Sequence, residues 1–150
     1  MNKVVVDTNI IFSAMLNINS RIAQILINGN QYYHFYSPEY VRFEIFKYKE
    51  RIKGIAKLSD NDFIEIYELV MRNITVVNHS IVPIENYKKA IDLCKTIDEN
   101  DTVFVALVEY FQGILWTGDL KLINGLLDKK YSRIIRTEEL YREFISKEYD

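Results

Sequence analysis

Apolar residues along the chain fall into short unbroken blocks separated by polar turns. Val4-Val5-Val6 does not alternate, which predicts a strand over 3–6 buried on both faces. Asp7-Thr8-Asn9 ends it. A short helical segment follows over 10–16, and Asn17 to Ser20 separates it from a helix over 21–27. Asn28-Gly29-Asn30 turns the chain into a second strand over 33–36. Ser37-Pro38 reads as a helix start, with serine as N-cap and proline at the first helical position. That helix carries Glu44 and runs to about Arg51. Ser59 caps the next, with Asp62 in its first turn, and the helix ends near Asn73. The β-branched run 74–77 predicts another strand. A helix from about Glu85 to Ile97 follows Pro83.

The stretch 98–119 carries the most information. Asp101 opens a helix, facing the positive end of its dipole. Val103 to Val108 is continuously apolar, so the helix is buried on most sides. Gly113 is expected to end it. Ile114-Leu115-Trp116 is a short apolar strand, and Thr117-Gly118-Asp119 turns the chain. The helix rises roughly 16 Å at ~1.5 Å per residue. The strand returns roughly 13 Å at ~3.3 Å per residue. The lengths nearly match, so Asp101 and Asp119 finish at one end of the layer. Beyond lie a helix over 120–127, a strand over 132–135 and a terminal helix capped by Thr137, with Glu138 and Glu139 in its first turn. Strands alternating with helices predict an α/β fold: a parallel sheet covered by helices on both faces.

Composition narrows this little. A chain of 150 residues is expected to form one domain, 1–150. A net charge of −2 argues against a surface coated with positive charge, although a local patch would suffice for nucleic acid. The one cysteine, Cys94, excludes an intrachain disulfide and fits a reducing, cytoplasmic location. It reads as a small core residue. No signal-peptide pattern and no apolar run of membrane-helix length is present, so no membrane association is expected.

The chemistry rests on acids. Asp7 directly follows a buried strand, at the carboxyl end of the sheet where α/β ligands bind. Thr8 and Asn9 add neutral polar groups beside it. Asp101 and Asp119 are expected at the same end. Helix capping explains one carboxylate but not three that converge. Glu44 is the fourth acid: Val41, Ile45 and Tyr48 at helical spacing set it near the buried stripe. Glu39 competes with it but is explained by its place in the first turn. Clustered carboxylates without histidine or cysteine favour Mg²⁺ or Mn²⁺, and such ions serve phosphodiester hydrolysis. His34 reads as packed in an aromatic strand and His79 as exposed in a turn. The basic run Lys47, Lys49, Arg51, Lys53 and Lys57 offers phosphate contacts, but a solvated helix face explains each single lysine. Tyr32, Tyr33, Phe35 and Tyr36 offer base stacking, but strand and core packing is the preferred reading.

Val4-Val5-Val6-Asp7-Thr8-Asn9, Glu44, Asp101-Thr102-Val103-Phe104-Val105-Ala106-Leu107 and Leu115-Trp116-Thr117-Gly118-Asp119 together resemble the PIN-domain ribonucleases. Many of these are the toxin halves of VapBC-type toxin–antitoxin pairs. The resemblance implies a three-layer α/β/α sandwich around a mostly parallel sheet. It implies Asp7, Glu44, Asp101 and Asp119 as the metal-binding acids, with Asn9 and Thr117 supporting them and Asp98 as an additional acid. It also implies an RNA substrate, single-stranded or structured, an antitoxin partner and a homodimer. Two other phosphoryl-transfer classes fit less well. Haloacid-dehalogenase-type phosphatases need a second aspartate two residues after the first, where Asn9 stands. Response-regulator receivers need paired acids after the first strand, where only Asp7 occurs. The alternative from a different class is a PIN-like module that binds RNA or protein without catalysis.

Overall fold

The computed structural model describes residues 2–150. Five parallel strands form one sheet: β1 (Asn2–Val6), β2 (Tyr33–Pro38), β3 (Ile74–Val77), β4 (Ile114–Trp116) and β5 (Ile134–Ile135), in the order β3-β2-β1-β4-β5. Nine α-helices connect and cover them among the described residues: α1 (Thr8–Leu16), α2 (Arg21–Asn28), α3 (Tyr40–Lys47), α4 (Lys49–Ala56), α5 (Asp60–Met71), α6 (Ile84–Cys94), α7 (Thr102–Phe111), α8 (Leu120–Asp128) and α9 (Thr137–Glu148). This is the α/β/α sandwich expected from the strand and helix pattern. No single helix among the described residues is long and apolar enough to cross a membrane.

The two faces of β2 show how the layers divide, because successive side chains point to opposite sides. Tyr36 stacks on Phe111 at 4.0 Å between ring centroids, so its face is covered by α7, with α6 packed behind. Tyr33 and Phe35 face the other way. There the Tyr33 hydroxyl donates to Glu143 of α9 at 3.0 Å, and α1, α2, α4, α5 and α9 pack as the second layer. Val4, Val5 and Val6 are all buried, as a central strand under two layers requires.

Several local expectations are corrected. Ser37 and Pro38 do not start a helix; they end β2. The Ser37 hydroxyl donates to the Val6 carbonyl at 2.7 Å, and the Glu39 amide, not proline, supplies the next ladder bond, to the Val77 carbonyl. Proline is tolerated there because its missing N–H falls where no donor is needed. The single helix expected to reach Arg51 breaks at Tyr48 into α3 and α4. Thr137 is the first residue of α9 rather than its cap. Its hydroxyl accepts from the Trp116 indole at 2.9 Å, so tertiary contact replaces capping.

The strand expected over 132–135 pairs only at Ile134 and Ile135. His34 is exposed, not packed, because α7 ends at Phe111 above Tyr36 and leaves the start of β2 uncovered. The left-handed residue closing α7 is Gln112, at φ 54°, not Gly113. Gly113 serves close approach: a Cβ there would lie 2.5 Å from the Lys3 carbonyl oxygen.

Candidate metal centre

Strand order reverses between β1 and β4, since β1 connects to β2 on one side and β4 to β5 on the other. Beyond such a point the crossovers leave the sheet in opposite directions and open a crevice at the carboxyl ends. Register pairs Val6 with Trp116, which sets Asp7 beside Thr117 as each strand ends. The Asp7 amide donates to the Trp116 carbonyl at 3.1 Å, and the Thr117 hydroxyl donates to Asp7 Oδ2 at 2.6 Å. Asp7 stands at the N-cap position of α1, yet its side chain makes no cap hydrogen bond. Its carboxylate is held by the neighbouring strand instead.

A cleft of about 250 Å³ opens here. Asp7, Asn9, Glu44, Asp98, Asp101 and Asp119 line it, with Phe12, Tyr40 and Phe104 as apolar walls. Each acid arrives by a different route. Glu44 projects from α3, and the Thr8 hydroxyl donates to its Oε1 at 2.9 Å. Asp101 ends a 3₁₀ turn immediately before α7 and makes no side-chain cap bond. Asp119 caps α8, its Oδ1 accepting from the Leu122 amide at 3.2 Å, while its own amide donates to Thr117 Oγ1 at 3.1 Å. Asp98 is exposed and accepts from the Asn100 amide at 3.0 Å. Thr117 is fully buried behind Asp7 and braces both Asp7 and Asp119. Glu39 does not line the cleft; it is exposed at the start of α3.

Charge in the cleft is uncompensated. Burial pushes the Asp7 pKa up to about 6; hydrogen bonds from Thr117 and the Thr8 amide oppose that, and the charges of Asp119 and Glu44 add to it. Asp101 is pushed up to about 7, by burial first and then by Asp7, Asp98, Asp119 and Glu44. Glu109 makes the contrast. It too is buried, and burial raises its pKa, but hydrogen bonds from Lys89 and Tyr131 outweigh that and leave it lowered. Glu109 has its counter-ion, at 2.6 Å; the cleft acids have no lysine or arginine beside them among the described residues. Such pKa shifts, arising from burial and mutual repulsion in a cleft, are typical of functional sites.

Two oxygens sharpen this. Asp101 Oδ2 and Asn9 Oδ1 are buried and accept no hydrogen bond. An unsatisfied buried acceptor costs about 1–3 kcal/mol, so both are available to a cation or a donor. All the polar donors in the cleft are hard oxygens or amides, the set that suits Mg²⁺ or Mn²⁺. Among the described residues, no three His, Cys, Asp or Glu side chains stand ready-made around one metal position. The acids share a cleft without closing on a common point.

The structure thus brings Asp7, Glu44, Asp101, Asp119, Asn9 and Asp98 to one place and puts Thr117 directly behind. Thr8, expected only as a polar group beside Asp7, also holds Glu44. One further residue takes part that sequence reasoning did not single out. Tyr40 walls the cleft. Partial burial, then a hydrogen bond to Glu44 and the charges of Glu44, Asp7 and Asp101, raise its hydroxyl pKa. Its spacing of one helical turn from Glu44 would have found it.

The chain belongs to the PIN-domain family, whose profile, described as PIN domain, matches residues 5–139. It is similar in structure to a chain of VapBC2 from Rickettsia felis, solved bound to a DNA fragment from their promoter. The TM-score is 0.63 and the identity 14%, over 89% of this chain and 96% of that one. That likeness is one of fold. No curated protein matches the chain.

Proposed function

We propose that this protein is a divalent-metal-dependent endoribonuclease and the toxin of a toxin–antitoxin pair. The observation that carries the reading is the convergence of Asp7, Glu44, Asp101 and Asp119 on one cleft without a compensating cation. Membership of the PIN family supports nuclease chemistry. Asp7, Glu44, Asp101 and Asp119 would hold Mg²⁺ or Mn²⁺, with Asn9 and Asp98 at its edge. When bound, such an ion offers positive charge to a phosphodiester and lowers the pKa of water. The chain's own contribution is positioning. Thr117 fixes the Asp7 carboxylate and Thr8 fixes Glu44.

An antitoxin partner is supported by the structural neighbour, which comes from a VapBC2 complex. A homodimer, a cytoplasmic location and a single domain over 1–150 belong to the same reading. The test is cleavage of end-labelled RNA by purified protein in Mg²⁺, Mn²⁺ or EDTA. Cleavage with either ion, lost in EDTA and in Asp7→Asn and Asp101→Asn proteins with native circular dichroism, is expected. Full activity of either variant in metal-replete buffer would sink the assigned site. RNA binding without turnover under every metal condition would favour the non-catalytic module.

A further inference from the structure

Tyr40 stands between two clefts. It lines the acidic one, and it also lines a second, of about 270 Å³, with His79, Tyr87, Asn100 and Val103. Its ring is partly exposed and meets the edge of Phe104 at 6.1 Å between centroids. Phe104 is buried in α7, less than one turn beyond Asp101. Tyr40 also precedes Glu44 by one helical turn. Side chains on a helix lean toward its N-terminus, so the Glu44 carboxylate lies over the turn that carries Tyr40. The Tyr40 hydroxyl donates a hydrogen bond to it. Glu44 needs such holding. The helix α3 is 8 residues long, has no side-chain cap and buries only Val41 and Ile45. A glutamate left free on it has several torsions to explore, and the charges of Asp7, Asp101 and Asp119 drive it toward solvent.

We propose that Tyr40 is a positioning residue for the metal site: its hydroxyl holds the Glu44 carboxylate in the cleft, and its ring, braced on Phe104, keeps the start of α3 at a fixed distance from the turn that carries Asp101. The proposal rests on the metal-site reading of the acids and adds a residue to it. Thr8 of α1 donates to Glu44 Oε1 at 2.9 Å, so Tyr40 is a second donor and comes from α3 itself. Both donors are neutral. A lysine would hold the carboxylate as well, but it would cancel the charge that attracts a cation, as Lys89 does for Glu109. A hydroxyl orients the acid and leaves its charge in place. The ring acts separately. The acids share the cleft without closing on one point, so the spacing of Glu44 from Asp101 decides whether both reach one ion.

The experiment is a double-mutant cycle on the full chain between Tyr40→Phe and Glu44→Ala, read by Mn²⁺ titration in electron paramagnetic resonance and by thermal melts in EDTA. Tyr40→Phe keeps the ring and should weaken Mn²⁺ binding about tenfold while the circular dichroism spectrum stays native. Added to Glu44→Ala, it should weaken binding no further. In EDTA it should lower the Tm of the wild type by about 2–4 °C and leave that of Glu44→Ala unchanged. Tyr40→Leu also loses the ring, so part of its effect on Mn²⁺ binding should persist in Glu44→Ala. RNA cleavage by Tyr40→Phe should fall at low Mn²⁺ and recover when Mn²⁺ is raised about tenfold, with the KM for RNA unchanged. Unchanged Mn²⁺ affinity in Tyr40→Phe overturns the proposal, as does an equal loss in the wild-type and Glu44→Ala backgrounds. A wild type that binds no Mn²⁺ removes the metal reading alone. The melts then judge Tyr40, and an equal loss of Tm in both backgrounds overturns its hold on Glu44.

Discussion

Asp101→Asn should make the metal-free protein more stable at alkaline pH, and progressively less so as pH falls. Asp101 is 9% exposed, one of its oxygens has no partner, and its pKa is raised from 3.8 to about 7. The folded state therefore holds the proton up to about pH 7, while the unfolded state releases it near 3.8. Between those values the native protein binds more protons, so stability falls as pH rises, and the loss is complete above 7. Three units at ~1.4 kcal/mol each set a ceiling of about 4 kcal/mol at pH 8. Part of that is shared with Asp7, since each charge raises the other, and water entering the cleft reduces it further. About 1–3 kcal/mol should survive, which for a chain of this size is roughly 3–8 °C in Tm. At pH 4.5 only about a quarter of the gain should remain.

The assay is a thermal melt of wild type and variant in EDTA at both pH values, repeated with Mn²⁺. Binding to the folded state alone stabilises by about 2.7 kcal/mol at a hundredfold excess over Kd, and Asp101→Asn should shrink that increment. Asp119→Asn is a poorer probe, because Asp119 also caps α8. If Asp101→Asn melts lower than wild type in EDTA at pH 8, or gains as much at pH 4.5, the uncompensated-carboxylate argument fails.

Glu44→Gln should cut RNA cleavage at least tenfold while Glu39→Gln leaves it nearly unchanged, because Glu44 lines the cleft and Glu39 does not; relative rates in Mn²⁺ check this. Thr117→Val removes the 2.6 Å bond to Asp7 while keeping the volume, and should lower kcat more than it changes the KM for RNA, as single-turnover and steady-state rates would show. Gly113→Ala forces a Cβ to 2.5 Å from the Lys3 carbonyl and should destabilise by about 1–3 kcal/mol in a urea titration. Gly125→Ala should cost less, because the atoms nearest its Cβ belong to the side chain of Ile97, which can move, and not to backbone.

Local pattern was enough for whatever depends on neighbours in sequence. Val4-Val5-Val6 and Ile114-Leu115-Trp116 are apolar blocks and Ile74 to Val77 is a β-branched run, all closed by polar turns, and each is a strand. Ser59 caps α5 with the reciprocal Asp62 bond, because both partners lie within one turn. Asp7 and Asp119 were legible as site candidates because an acid at the carboxyl end of a buried strand has its location set by the strand itself. Contacts across the fold decided the rest. Serine before proline reads as a helix start, yet Ser37 is claimed by the Val6 carbonyl and Pro38 by the β3 ladder. Thr137 gives up capping to meet the Trp116 indole. Helix phase alone singled out Glu44 over Glu39, but its bond from Thr8, 36 positions away, is a contact that only the fold makes. The neighbourhood of Tyr87, His79 and Tyr40 exists only because α6, the turn after β3 and the start of α3 meet beside the acids. Hydropathy and capping act over a few residues and leave a trace in sequence order, whereas pairing between distant side chains is fixed only once the sheet has brought the strand ends together.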